Sequence, residues 1–152
     1  MIKANVEINN KSWCKKIKNP KKYFSNKLKK ISKALPISNE KNIVFTILLT
    51  NSLNIKKINK KFRKQNKSTD VLSFPYYSLK NVKLLKRKNI YVGDIVTCYE
   101  IINTRSNKDN FLLEFDKAWI HGFLHLLGFD HIKNKDYLKM NKIEKKILNL
   151  IV

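Results

Sequence analysis

Apolar and polar positions change period several times along this 152-residue chain, and each period points to a different element. Residues 2–9 alternate, with Ile2, Ala4, Val6 and Ile8 on one face, as a half-buried strand does. From position 20 to about 35 a basic amphipathic helix is expected, opened by Pro20, with Phe24, Leu28, Ile31 and Leu35 on one stripe. The β-branched run 43–49 reads as a buried strand. Asn51 or Ser52 can cap a short helix that turns Leu53, Ile58 and Phe62 inward. Positions 70–74, closed by Pro75, and 91–97 are two further strands, and the lysine-rich 78–90 between them reads as a mobile hairpin or loop. Asp109 or Asn110 begins a strongly apolar helix that ends near Leu127, with Gly128 at the natural C-terminal position. A last amphipathic helix runs from about 136 to 150.

Strands mixed with helices, with neither a repeat nor a Gly/Ser/Pro-rich linker, predict one α+β domain over residues 1–152. Its small mixed sheet packs against helices. That length buries a real core without disulfide staples. No stretch approaches the roughly 18 consecutive apolar residues of a membrane span, so no membrane partner is expected. The alternating N-terminus lacks the layout of a signal peptide. Cys14 and Cys98 do not sit at metal-knuckle spacing. They read as reduced, partly buried thiols, which places the protein in the cytoplasm.

Charge points to a class of partner. Lys and Arg total 33 against 11 Asp and Glu, a formal net charge of +22. Clustered cations attract a polyanion such as nucleic acid without reading its bases. A second source is coding bias: apart from Arg63, Arg87 and Arg105 the cations are all Lys, and Asn and Ile are abundant too. All three share adenine- and thymine-rich codons, so charge alone assigns no function.

The chemistry concentrates in HGFLHLLGFDH, residues 121–131, which holds all three histidines of the chain. His121 and His125 stand four apart, so on a helix they project from one face about 6 Å apart and can grip one ion. Gly128 can adopt positive φ and turn the chain so that His131 reaches back. The alternative is a set of ordinary histidines on an amphipathic helix, which the triple spacing argues against. Three imidazoles with no cysteine nearby suit one zinc ion per chain, and also nickel, cobalt or iron. A three-ligand site leaves a coordination position open for chemistry. The spacing is that of the metzincin peptidases, H-E-x-x-H-x-x-G-x-x-H. Their general base, however, is the Glu after the first His, and here that residue is Gly122. A phosphodiester depends less on that carboxylate, because metal and cationic side chains can stabilise the developing oxyanion.

Together with STDVLSFP (68–75) and GDI (93–95), in matching order and spacing, the histidine block resembles the bacterial YbeY family of rRNA maturation endoribonucleases. The resemblance covers roughly residues 40–150. It implies a zincin-like α+β domain and a single-strand-specific, metal-dependent endoribonuclease. Its implied roles are processing the 3′ end of small-subunit rRNA and ribosome quality control. Ribosomal RNA, the small ribosomal subunit and an Era-type GTPase are the implied partners. The family's metal ligands fall on His121, His125 and His131, and its functional arginine falls on Arg63. A guanidinium there offers a phosphate a fixed fork of donors and stays charged. Ser68 stands where the family commonly has Pro, and Phe129 where it has Tyr, which puts a polar contact beside the metal loop in doubt. Two rivals remain: a non-catalytic, metal-carrying ribosome assembly factor, and a zincin-like metallopeptidase.

Several residues have two readings each. Glu114, two turns before His121, can orient a ligand histidine or favour the helix dipole. Asp130 reads as a turn stabiliser more than a proton acceptor. Asp70 is either a local cap or the partner that fixes Arg63. Trp13 and Trp119 read as core residues rather than base-stacking platforms. The helix 20–35 and the segment 56–67 are the candidate RNA contacts, the second preferred because it leads into Arg63.

Overall fold

The computed structural model describes residues 1–77, 85–107 and 110–152. Four strands form one sheet: β1 (Ile2–Ile8), β2 (Asn42–Thr50), β3 (Val71–Pro75) and β4 (Asn89–Cys98). Their order is β1-β2-β4-β3. β2 runs parallel to both β1 and β4, whereas β3 lies antiparallel to β4 at the edge, so the sheet is mixed. Between β1 and β2 come α1 (Ser12–Lys16), α2 (Pro20–Ala34) and α3 (Ile37–Glu40). α4 (Ser52–Arg63) follows β2, and α5 (Tyr99–Arg105), α6 (Phe111–Leu126) and α7 (Asn134–Ile151) follow β4. This is the expected α+β arrangement.

The two sheet faces are covered unequally. On one, α2 packs on β1, α6 on β3 and β4, and α7 on α6 and α2. Phe24, Phe45, Ile47, Phe115, Trp119 and Phe123 form the centre of that core. Among the described residues, the other face carries a smaller cluster of Ile55, Leu72, Val96 and Cys98 beneath α4 and α5. Both tryptophans are fully buried, as expected; the Trp13 indole donates to the Thr50 carbonyl at 2.9 Å.

Local chemistry sets the helix ends. Asn19 caps α2 by accepting from the Lys22 amide, with Pro20 in the first turn. Asn51 caps α4 by accepting from Asn54. α4 does not turn Leu53 and Phe62 inward as the pattern suggested: both are exposed, and Ile55 and Asn59 take the buried positions. The amide of Asn59 donates to the Lys67 carbonyl at 2.8 Å, so a polar residue fills the inward stripe. β4 starts at Asn89, inside the stretch read as a loop, and residues 78–84 of that stretch lie outside the described residues. The short α1, α3 and α5 lie outside the elements that the hydrophobic pattern predicts.

A buried ion pair ties α2 to α6 within the helical layer. Asp116, 1% exposed on α6, accepts from Tyr23 Oη at 2.6 Å, Lys27 Nζ at 2.6 Å and Trp119 Nε1 at 2.8 Å. Burial first, and then the Asp116 charge, hold the Tyr23 phenol far above its usual range.

Candidate active site

α6 carries His121 and His125 on consecutive turns and then stops at a hydrogen-bonded glycine turn. The Gly128 amide bonds the His125 carbonyl at 3.0 Å, and the Phe129 amide bonds the Leu124 carbonyl at 2.9 Å. This is the Schellman pairing, and it needs the positive φ of 96° found at Gly128. The chain then doubles back and brings His131 over the other two rings. The nearest ring nitrogens of the three histidines all lie within 4.8 Å of one another. Asp130 steadies the turn, its carboxylate accepting from the His131 amide at 2.7 Å.

Hydrogen bonds decide which nitrogens face the centre. His125 Nδ1 lies 2.9 Å from the Phe129 carbonyl, which can only accept, so Nδ1 carries the proton. His121 Nδ1 lies 2.6 Å from Glu144 Oε1 on α7, with the same consequence for a carboxylate partner. Both Nε2 lone pairs then point at one another across 3.1 Å. Two lone pairs at that distance repel unless a proton or cation lies between them. Burial, and then the neighbouring His121 and His131, lower the pKa of His125, which keeps its ring neutral and available as a ligand. The donor set therefore fits a transition-metal ion, and the partners of Nδ1 are those that orient metal-bound histidines elsewhere.

Glu144, not Glu114, orients the His121 ring. Glu114 instead pairs with Lys117 at 2.6 Å on its own helix. The signal for Glu144 was present: it falls on the inward stripe of Met140, Ile147 and Ile151, where an acid needs a partner. Phe129 contributes its backbone carbonyl to His125, a contact that a missing phenol leaves intact.

Gly122 has a structural reason. A Cβ there would meet Ser73 Oγ at 2.9 Å, Val71 Cγ2 at 3.2 Å and Ile95 Cγ2 at 3.3 Å. α6 lies so close to β3 and β4 that the peptidase glutamate has no room. GDI is also structural: Gly93 has φ of 134°, and a Cβ would collide with the Phe74 carbonyl. Gly93 follows Val92, the extra residue where the β2–β4 register shifts.

A cleft of about 930 Å³ opens beside the histidines, and Arg63, Asp70, Arg105, Lys117, Glu144 and Lys145 are among its lining residues. Arg63, from the last turn of α4, donates to the Ser73 carbonyl at 2.8 Å. Asp70 does not hold Arg63; it pairs with Arg105 and accepts from the Val71 amide at 2.9 Å. The cap reading of Asp70 thus stands, and its cationic partner comes from α5, a helix the sequence pattern did not reveal.

Residues 7–152 match the sequence profile of the family described as Endoribonuclease YbeY. The chain belongs to the YbeY endoribonuclease family. A relative named Endoribonuclease YbeY from Pelagibacter ubique is 48% identical, over 99% of this chain and 97% of its own. One of the same name from Buchnera aphidicola is 42% identical, over 95% of this chain and 90% of its own. The solution structure of TM1509 from Thermotoga maritima superposes with a TM-score of 0.64 at 25% identity, covering 99% of this chain and 89% of that one. Membership of the YbeY family carries the activity: this is an endoribonuclease, and neither the peptidase nor the non-catalytic reading is favoured. Among the described residues no helix is long and apolar enough to cross a membrane.

Proposed function

We propose that this YbeY-family chain is a metal-dependent endoribonuclease of ribosomal RNA. It matures the 3′ end of small-subunit rRNA and serves ribosome quality control in the cytoplasm. His121, His125 and His131 hold the ion, zinc fitting the all-imidazole set, with nickel an acceptable substitute. The small ribosomal subunit and an Era-type GTPase are the partners that the family resemblance implies. The observation that carries this reading is the convergence of Arg63 and the three histidines on one open cleft. The bound ion would supply Lewis-acid stabilisation of charge on a phosphoryl oxygen.

The chain's own residues do the rest. Arg63, steadied by the Ser73 carbonyl, offers its remaining donors to the scissile phosphate and neutralises charge as the phosphorus becomes five-coordinate. Glu144 and the Phe129 carbonyl hold the two helical imidazoles with Nε2 inward. The test is Arg63→Ala. Fold and metal content are retained while single-stranded RNA cleavage falls by about 10²–10³-fold, the cost of losing one such donor. Unchanged turnover removes Arg63 from the mechanism. Mapping the cleaved termini separates attack by water from attack by the RNA 2′-hydroxyl, since a 2′,3′-cyclic phosphate excludes direct water attack.

A further inference from the structure

Side chains alternate along the edge strand β3. Val71, Ser73 and Pro75 line the cleft, whereas Leu72 and Phe74 belong to the small cluster on the opposite face. Tyr76 is next in that alternation and is 70% exposed; Phe62, in the last turn of α4, is 61% exposed. The Phe62 ring meets Phe74 edge-on at 5.5 Å between centroids. Arg63 lies over the same Phe74 ring at 5.7 Å while lining the cleft on the far side. The arginine therefore sits astride the strand, with the histidines on one face and an aromatic surface on the other.

We propose that Phe62 and Tyr76 form a stacking platform for unpaired RNA bases, reached by a substrate strand that crosses β3 at Arg63. The proposal rests on the cleft being the site of RNA cleavage. Phe62 touches Phe74 only edge-on and stays 61% exposed beside the expected phosphate ligand, and an exposed aromatic face accepts any base. The surroundings suit the polyanion: Lys57, Lys60, Lys61 and Lys64 are all exposed on the same helix end, with Lys61 Nζ 5.2 Å from the Phe62 ring. β3 is the outermost strand of the described sheet, so the RNA crosses a width of only about 4.8 Å. Across from Phe74 on β4, exposed Asp94 accepts from the Tyr91 phenol at 2.6 Å, and that carboxylate turns phosphate away, which bounds the platform on the β4 side. Bases in a duplex hide their faces, so such a platform selects single strands.

The test compares two ligands of zinc-reconstituted protein by fluorescence anisotropy. One is a labelled single-stranded oligoribonucleotide and the other the same sugar–phosphate chain without bases, each checked on a gel for intactness. Wild type binds the base-bearing chain about fivefold tighter or more, the worth of one stacked base. In the Phe62→Leu/Tyr76→Leu double variant most of that preference disappears, while affinity for the abasic chain and the salt slope stay as they were. Both positions are exposed, so the fold survives the change. A double variant that keeps the full preference overturns the platform and leaves these rings to a protein partner. If wild type neither binds nor cleaves RNA, the reading of the cleft falls with it, a result distinguishable from loss of the platform alone.

Discussion

Glu144 on α7 accepts a hydrogen bond from His121 Nδ1 at 2.6 Å, joining the last helix of the chain to the first residue of the histidine block. The pair makes α7 part of the three-histidine site rather than a bystander. Glu144→Ala is expected to weaken zinc affinity by about 10–100-fold, as other outer partners of ligand histidines do. Glu144→Gln, which keeps an acceptor oxygen, loses less. Competition with a chromophoric chelator measures both. Equal affinity in all three proteins would reduce the contact to packing.

Gly122 marks the closest approach of α6 to β3 and β4. Gly122→Glu would restore the peptidase pattern in sequence, but the side chain must displace Ser73, Val71 and Ile95. Overpacking of this kind costs about 1–3 kcal/mol. Thermal melting should show the loss, with no peptide cleavage gained. A variant as stable as wild type would mean that the helix can shift outward at no cost.

Asp116 is the acceptor for a phenol, an ammonium and an indole at once. Removing one partner of a buried ion pair costs about 3–5 kcal/mol, because the other charge is left unpaired. Asp116→Ala should lose that much in urea unfolding, with cleavage chemistry in the surviving folded fraction unchanged. A loss below about 1 kcal/mol, the range of a surface pair, would show that water replaces the carboxylate.

The thiols should differ sharply. Cys14 is exposed and Cys98 buried, and burial raises the Cys98 pKa, so its thiolate is scarcer at any pH below it. Iodoacetamide at pH 8 is expected to modify Cys14 alone in native protein and both residues after denaturation. Rapid labelling of Cys98 in the native state would point to local opening between α4 and β4.

Much of this site could be read in advance because its residues are close in sequence. The His121–His125 pair needs only helical spacing, and Gly128 needs only the turn it makes. Contacts between distant segments were harder to read. Glu144 meets His121 only because α7 packs on α6, and Asp70 meets Arg105 only because β3 pairs with β4 ahead of α5. Local reasoning instead offered Glu114 and Arg63 as partners, the nearest groups along the chain. In the fold, the inward stripe of α4 misled because Asn59, a polar residue, occupies a buried position with its own backbone partner. The short helices α1, α3 and α5 have too few residues to show a period.

In the proposed function, RNA cleavage depends on an ion held by the three-histidine centre. Elemental analysis of the purified protein, paired with a cleavage assay of metal-stripped, zinc-reconstituted and His125→Ala forms on single-stranded RNA, tests it most directly. A single transition-metal ion per chain is expected, with no cleavage once it is stripped and recovery on reconstitution. The His125→Ala protein should neither retain the ion nor recover. Cleavage that survives complete removal of the metal would contradict it.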